Sequence, residues 1–231
     1  MRTCVTIITL VVSLFFVPGA RGAEEDSPYY LSAKAGLSLL EFDDARYYSS
    51  IGRDQTWRYD RSSDDSVFGA GVGVGYCFTK HLRAELEYFY RAEFEYDKRP
   101  TNDGIANAGQ QLKTQTLMAH LYYDLPNKTA FTPYIFGGLG WACHKTEADA
   151  QLLGAPFYTY EGSNRDSEFA WDLGVGVGYP LFGNTVLDFS YRYACLGEAE
   201  WDNSRTDGGD PAGSSADITA HEFLAALRFS F

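Results

Sequence analysis

The sequence predicts an all-β chain: an eight-stranded antiparallel up-and-down transmembrane β-barrel. Three observations carry this. Apolar and polar residues alternate with a period of two through eight segments. Each segment runs about 10–14 residues, longer than the five or six usual in soluble sheets and enough to cross a bilayer when tilted. The connections alternate strictly between long and short, so every long one leaves the same end of the sheet.

The elements follow in chain order. Arg2 supplies a positive start, and Val5–Val17 is apolar apart from Thr6, Thr9 and Ser13. Pro18-Gly19 ends the run, and Ala20-Arg21-Gly22 places small residues where a signal peptidase reads them. Residues 1–22 are therefore expected to be a signal peptide, and 23–231 one barrel domain. The apolar run is too short for a membrane anchor, which needs about 20 residues.

Tyr29–Leu40 sets Leu31, Ala33, Ala35, Leu37 and Leu39 on one face, against Tyr30, Ser32, Lys34, Gly36 and Ser38. Val67–Phe78 sets Phe68, Ala70, Val72, Val74, Tyr76 and Phe78 against four glycines. Leu82–Tyr96 is the clearest segment. Leu82, Ala84, Leu86, Tyr88, Tyr90, Ala92, Phe94 and Tyr96 share one face, with Arg83, Glu85, Glu87, Phe89, Arg91, Glu93 and Glu95 opposite. A helix would spread these charges around its surface, whereas a strand sorts them.

Gln111–Leu125 sorts Leu117, Ala119, Leu121 and Tyr123 from Thr116, Met118, His120, Tyr122 and Asp124. Thr132–Cys143 sorts Ile135, Leu139 and Trp141 from Gly138 and Gly140, and Phe169–Pro180 sorts Trp171, Leu173, Val175, Val177 and Tyr179 from Asp172 and three glycines. Thr185–Cys195 sorts Leu187, Phe189, Tyr191 and Tyr193 from Asp188, Ser190 and Arg192. Ile218–Phe231 sorts Phe223, Ala225, Leu227, Phe229 and Phe231 from Glu222, Leu224, Ala226, Arg228 and Ser230. The long connections are expected at Glu41–Ser66, Asp97–Gln110, His144–Glu168 and Gly197–Asp217, and the short turns at Thr79–His81, Pro126–Ala130 and Phe182–Asn184.

Alternation alone leaves open which face is wet. A soluble barrel buries its apolar face, and a membrane barrel turns that face to lipid. The glycines fall on the charged face, where a narrow interior needs space for large side chains. Aromatic residues gather at both ends of the apolar face: Phe78, Tyr123, Tyr179, Phe229 and Phe231 at one, Trp141, Trp171, Tyr193 and Phe223 at the other. That is the pattern of interfacial girdles. The chain also stops on an apolar strand ending in Phe231. These features favour the membrane barrel.

The charged face then becomes the interior. Lys34, Arg83, Glu85, Glu87, Arg91, His120, Asp124, Asp172, Asp188, Arg192, Glu222 and Arg228 are expected to pair there, because buried charges must be paired or hydrated. Such a network plugs a narrow barrel; the competing reading is a proton or small-solute pathway. The glycine run FGAGVGVGY (Phe68–Tyr76) is not a dinucleotide fingerprint, since it keeps the period of two and leads into a turn rather than a helix.

LMAHLYYDL (Leu117–Leu125), TPYIFGGLGWA (Thr132–Ala142), FAWDLGVGVGYPL (Phe169–Leu181), LDFSYRY (Leu187–Tyr193) and LRFSF (Leu227–Phe231) together resemble the small outer-membrane barrels of the opacity-protein and OmpA/OmpX type. The resemblance covers essentially the whole mature chain. It implies a non-enzymatic structural or surface-exposed protein, adhesin- or antigen-like, with variable external loops. It implies outer-membrane lipid and lipopolysaccharide as surroundings, and a host or environmental ligand at the loops. It further implies that Leu227, Phe229 and Phe231 form the C-terminal signal read by the barrel-assembly machinery.

Composition narrows the partners. The net charge is −12, which argues against nucleic acid. Glu41–Ser66 carries 7 acidic against 4 basic residues, and Gly197–Asp217 carries 6 against 1. The external surface is thus expected to be acidic and solvated. His81, His120, His144 and His221 are scattered without metal spacing, and no cofactor motif is legible. A narrow porin-like channel remains an alternative, as does a lipid A-modifying enzyme. Thr219 and His221 share the outward face, but no outward acid is evident beside them. Cys143 and Cys195 lie near strand ends with one strand between them, about 10 Å apart and beyond disulfide reach, so free thiols are expected.

Overall fold

The structure, a computed structural model, describes residues 28–49, 65–98, 105–152, 159–205 and 212–231. The expected signal peptide lies outside the described residues. The strands are β1 (Tyr29–Ser49), β2 (Asp65–Cys77), β3 (Leu82–Lys98), β4 (Ile105–Asp124), β5 (Thr132–Leu152), β6 (Thr159–Pro180), β7 (Thr185–Arg205) and β8 (Ala212–Ser230). Each pairs antiparallel with its neighbours in sequence, and β8 pairs with β1 to close the barrel. Among the described residues no helix is long and apolar enough to cross a membrane.

Eight strands in this order match the expectation, but their lengths do not. They run from 13 to 22 residues rather than 10–14. Most of the added length lies in segments expected to be long connections. β5 and β6 stay paired as far as Gln151↔Thr159, and β1 and β8 as far as Ser49↔Ala212. Beyond the hydrocarbon belt the ladder hydrogen bonds continue, while no lipid demands apolar side chains on one face. The sequence pattern therefore fades before the strand does.

Register shifts mark this transition. They fall between Asp43 and Arg46 on β1, Arg91 and Phe94 on β3, and Cys195 and Gly197 on β7. On β3 the shift sets position Phe94 opposite Leu112. The outward row expected over Leu82–Tyr96 is described as far as Ala92, and the side chains of Phe94 and Tyr96 lie outside the described residues. On β7, Gly197 has φ 82°, the left-handed conformation that lets a bulge form without a Cβ penalty.

Below the shifts the faces sort cleanly. Leu31, Leu37, Phe68, Val72, Leu139, Trp141, Phe169, Leu173, Phe189, Phe223 and Leu227 are exposed on the outside. An apolar outer surface with a polar interior fits hydrocarbon rather than water around the wall. The expected girdle residues Phe78, Tyr123, Tyr179, Phe229 and Phe231 at one end, and Trp141 and Phe223 toward the other, are likewise exposed.

The interior glycines make space, mostly for rings. A Cβ on Gly71 would stand 2.6 Å from Phe89 Cδ2 and 2.7 Å from the Tyr88 carbonyl oxygen. Gly75 faces Tyr30, Gly174 faces Phe136, and Gly176 faces Tyr134. Gly73 faces Glu85 and Ser32, and Gly138 faces His120 and Asp172. The wall is thinned for aromatic side chains as much as for charged ones.

Candidate functional site

The inward row of each strand brings the eleven charged residues named from the sequence, with His120, into two networks. At mid-height Arg192, from β7, is the hub. Its Nε donates to Glu222 Oε2 at 2.5 Å, and its Nη1 donates to Glu87 Oε1 at 2.6 Å. Asp172 Oδ2 lies 3.5 Å from that same Nη1. Glu222 also accepts from Arg91 Nε at 2.7 Å and from the Ser38 hydroxyl at 2.5 Å. Lys34 bridges Glu87 and Glu85, the latter at 2.5 Å, and reaches the Tyr122 hydroxyl at 3.0 Å. His120 Nε2 lies 2.8 Å from Asp172 Oδ2. Arg91, Arg192, Glu87 and Glu222 are all within 1% of full burial.

The second network sits nearer the short turns. Arg83 Nε donates to Asp124, with Oδ2 at 3.3 Å, and Nη1 donates to the Tyr30 hydroxyl at 3.3 Å. Its guanidinium carbon lies 3.9 Å from the Tyr122 ring centre and 4.9 Å from that of Tyr134, so the cation is held between π faces. Arg228 Nε donates to Asp188 Oδ2 at 3.2 Å. A cavity of about 20 Å³ lies among Ser32, Lys34, Arg83, Asp188 and Arg192. That is room for one water and not for a solute.

Toward the long-hairpin end the lumen turns apolar. Leu40, Val67, Leu112, Leu196 and Ile218 cluster there with Ala142, Ala170, Ala194, Ala199, Ala216 and Ala220. His144 is built into the same level, with Nε2 donating to the Leu196 carbonyl at 2.9 Å and Nδ1 3.0 Å from the Thr114 hydroxyl. The sequence reading did not single out this layer. Leu196 continues the inward row of Asp188, Ser190, Arg192 and Ala194 one residue past the segment expected to be a strand, and the bulge at Gly197 then turns the odd-numbered Ala199 inward as well. The interior rings Tyr30, Phe89, Tyr122, Tyr134 and Phe136 also went unassigned as fillers, although Tyr30, Phe89 and Tyr122 were on the correct face.

The outer face holds one departure from expectation. His221 does have an outward acid beside it: Glu41 Oε1 lies 3.7 Å from His221 Nε2. The long β1 explains this, because Glu41 lies within the strand and pairs with Thr219 rather than starting a loop. The Tyr191 hydroxyl hydrogen-bonds His221 Nδ1 at 2.6 Å, and Tyr193 packs edge-on to the same imidazole at 5.2 Å. Thr219 is 9% exposed. Among the described residues Cys77, Cys143 and Cys195 form no disulfide. Leu227, Phe229 and Phe231 line the outer wall where the barrel closes, with the Phe229 and Phe231 rings 5.5 Å apart.

A closed eight-stranded barrel with an apolar exterior and an ion-paired lumen is a small transmembrane barrel of an outer membrane. Residues 7–231 match the family described as outer membrane protein beta-barrel domain, and the chain belongs to that family. It is 29% identical over 243 residues to the outer membrane protein PagN of Salmonella typhimurium, covering 98% of each chain. Among solved structures it is similar to the outer membrane protein OprG from Pseudomonas aeruginosa, with TM-score 0.56, 16% identity, and coverage of 90% of this chain and 97% of that one. It is also similar to a major outer membrane protein from Thermus thermophilus, with TM-score 0.52, 12% identity, and coverage of 87% of this chain and 99% of that one. At these identities the structural matches establish the fold. The protein is an outer-membrane β-barrel protein.

Proposed function

We propose that the protein is a non-catalytic, closed barrel whose role is to hold four β-hairpins outside the cell, as a structural or adhesin-like surface protein. The observation that carries this reading is the filled lumen. Eleven charged side chains, His120 and a layer of leucines and isoleucine occupy it, and the cavity between the two networks holds about one water. A solute pathway would need a continuous wet channel. Three of the four hairpins, β3–β4, β5–β6 and β7–β8, continue as paired strands beyond the apolar belt, which suits them to present a fixed surface. Their acidic tips favour a partner bearing cations or bridged by divalent ions.

Two biogenesis steps belong to the same reading: cleavage after Gly22, and capture by the assembly machinery through Leu227, Phe229 and Phe231. The test is conductance. The purified protein in planar bilayers is expected to give no steady channels, and surface protease is expected to clip the hairpin tips on intact cells. Steady unitary currents would replace this reading with the narrow pore.

A further inference from the structure

The two ion networks leave polar atoms over, and they leave them in one place. Arg83 commits Nε to Asp124 and Nη1 to Tyr30, while Arg192 commits Nε to Glu222 and Nη1 to Glu87. Nη2 of each guanidinium makes no hydrogen bond, although the two residues are only 3% and 1% exposed. Ser32 Oγ is likewise unbonded, and Glu85 Oε1 has an ion contact with Lys34 at 2.5 Å but no hydrogen bond. Ser32 and Glu85 are 6% and 4% exposed. Buried polar atoms are almost always partnered, so four exceptions together ask for a reason. All four residues line the cavity of about 20 Å³ between the networks.

Gly73 brings two of these atoms together. A Cβ there would stand 2.5 Å from Ser32 Oγ and 2.7 Å from Glu85 Oε1, so both oxygens flank the same bare point of the wall. Arg83 reaches the cavity from β3 and Arg192 from β7.

The chemistry of the lining selects the ligand. Two guanidinium donors and a carboxylate acceptor face the cavity, and the Ser32 hydroxyl can act either way. A sodium-sized cation would face Lys34, Arg83 and Arg192. A chloride would face Glu85 and Asp188, and Arg192 already answers three carboxylates, Glu222, Glu87 and Asp172. A water suits all four atoms. Its oxygen accepts from both Nη2 groups, and its hydrogens go to Glu85 Oε1 and Ser32 Oγ. The volume is that of one such molecule.

We propose that this cavity is a binding site for a single water, held by Ser32, Arg83, Glu85 and Arg192. The water fastens the two networks into one body, because Arg83 belongs to one and Arg192 and Glu85 to the other. The same lining refuses small ions of either sign. The site deepens the closed-lumen reading proposed above and rests on it. Conductance reads the whole lumen and crystals read the cavity, so the two can fail separately.

The refolded full-length barrel is crystallised in sodium bromide and in rubidium chloride, at a resolution that shows ordered waters. Ala226, which lines the cavity, is also replaced in the isosteric pair Ala226→Thr and Ala226→Val, and both variants are unfolded in urea. Either larger side chain takes the place of the water, and only threonine brings a hydroxyl with it. The wild type is expected to show one light-atom peak within hydrogen-bond distance of the four atoms, with no anomalous signal there from either ion. The valine variant is expected to unfold with an equilibrium constant about tenfold larger than the threonine variant, because it leaves buried N–H groups without an acceptor. An anomalous peak in the cavity, a cavity without density, or a valine variant as stable as the threonine one overturns the proposal. Steady currents from a barrel whose water is in place would remove the closed-lumen reading and leave the site standing.

Discussion

At mid-height the lumen is filled by Arg91, Arg192, Glu87 and Glu222, and one level toward the long hairpins it is filled by Leu40, Leu112, Leu196 and Ile218. Both levels are buried, and both close the same narrow tube. They differ in how they tolerate loss. Each charged side chain at mid-height is balanced by a named partner, so removing one strands another in a medium that cannot solvate it. An apolar side chain answers to no particular partner, and its removal leaves a void that neighbours partly fill. The comparison teaches that ion pairing fixes which residues face which, while the apolar layer excludes water at lower risk.

The sharpest way to break this comparison is at Glu222. It accepts from Arg91, Arg192 and Ser38, and it is fully buried. Glu222→Ala leaves two guanidiniums facing one another across the lumen. The expected loss is about 3–5 kcal/mol, the range for breaking a buried pair from one side. Urea unfolding of the refolded barrel in detergent, followed by the heat-dependent gel shift, measures it. A loss below that of the apolar substitution described next would mean that water enters to solvate the arginines, and the mid-level is wetter than its geometry indicates.

Leu196→Ala is the matching change in the apolar layer. Leu196 is 1% exposed, and its carbonyl, which the substitution retains, accepts from His144. The expected loss is about 2–3 kcal/mol, the lower part of the range for a buried leucine, since the surrounding alanines leave room to relax. The same unfolding measurement reads it.

The inner and outer walls make a second contrast, with glycine as the probe. A methyl on Gly71 meets Phe89 and the Tyr88 backbone at 2.6 and 2.7 Å. One on the outward Gly137 meets the Leu173 side-chain tip at 3.0 Å and the Asp172 carbonyl at an ordinary 3.5 Å. Gly71→Ala is expected to cost about 1–2 kcal/mol through displaced packing, and Gly137→Ala to be near neutral. Equal effects would show that the interior rings move freely enough to make glycine unnecessary there.

These contrasts also show what the sequence made legible. Strand number, order and the lipid-facing row follow from period-two alternation, because hydrocarbon on one side and a packed lumen on the other impose it residue by residue. The inward charged row was legible for the same reason. Leu196, Ala199 and Glu41 were not. Leu196 and Glu41 lie one residue past the segments that alternation marks, and Ala199 is inward only because the residue inserted at Gly197 reverses the meaning of odd and even. Pairing partners were hidden as well, because alternation names a face and says nothing about which guanidinium meets which carboxylate around a closed ring.

Among the charged residues the smallest expected effect lies where the lumen begins to open. Arg228 and Asp188 pair at 3.2 Å near the short-turn end, with side chains 14% and 8% exposed, against 1% and 0% for Arg192 and Glu222. Their charges are partly reached by solvent, so Arg228→Ala is expected to cost only about 1 kcal/mol. Salt separates the two cases further. At about 1 M the screening length falls to roughly 3 Å, which weakens a pair that ions can approach and leaves a sealed one alone. The cost of Arg228→Ala should therefore shrink between low and high salt, while that of Glu222→Ala stays constant. Should both costs fall together, ions reach mid-lumen, and the barrel that looks closed from its packing is open to them.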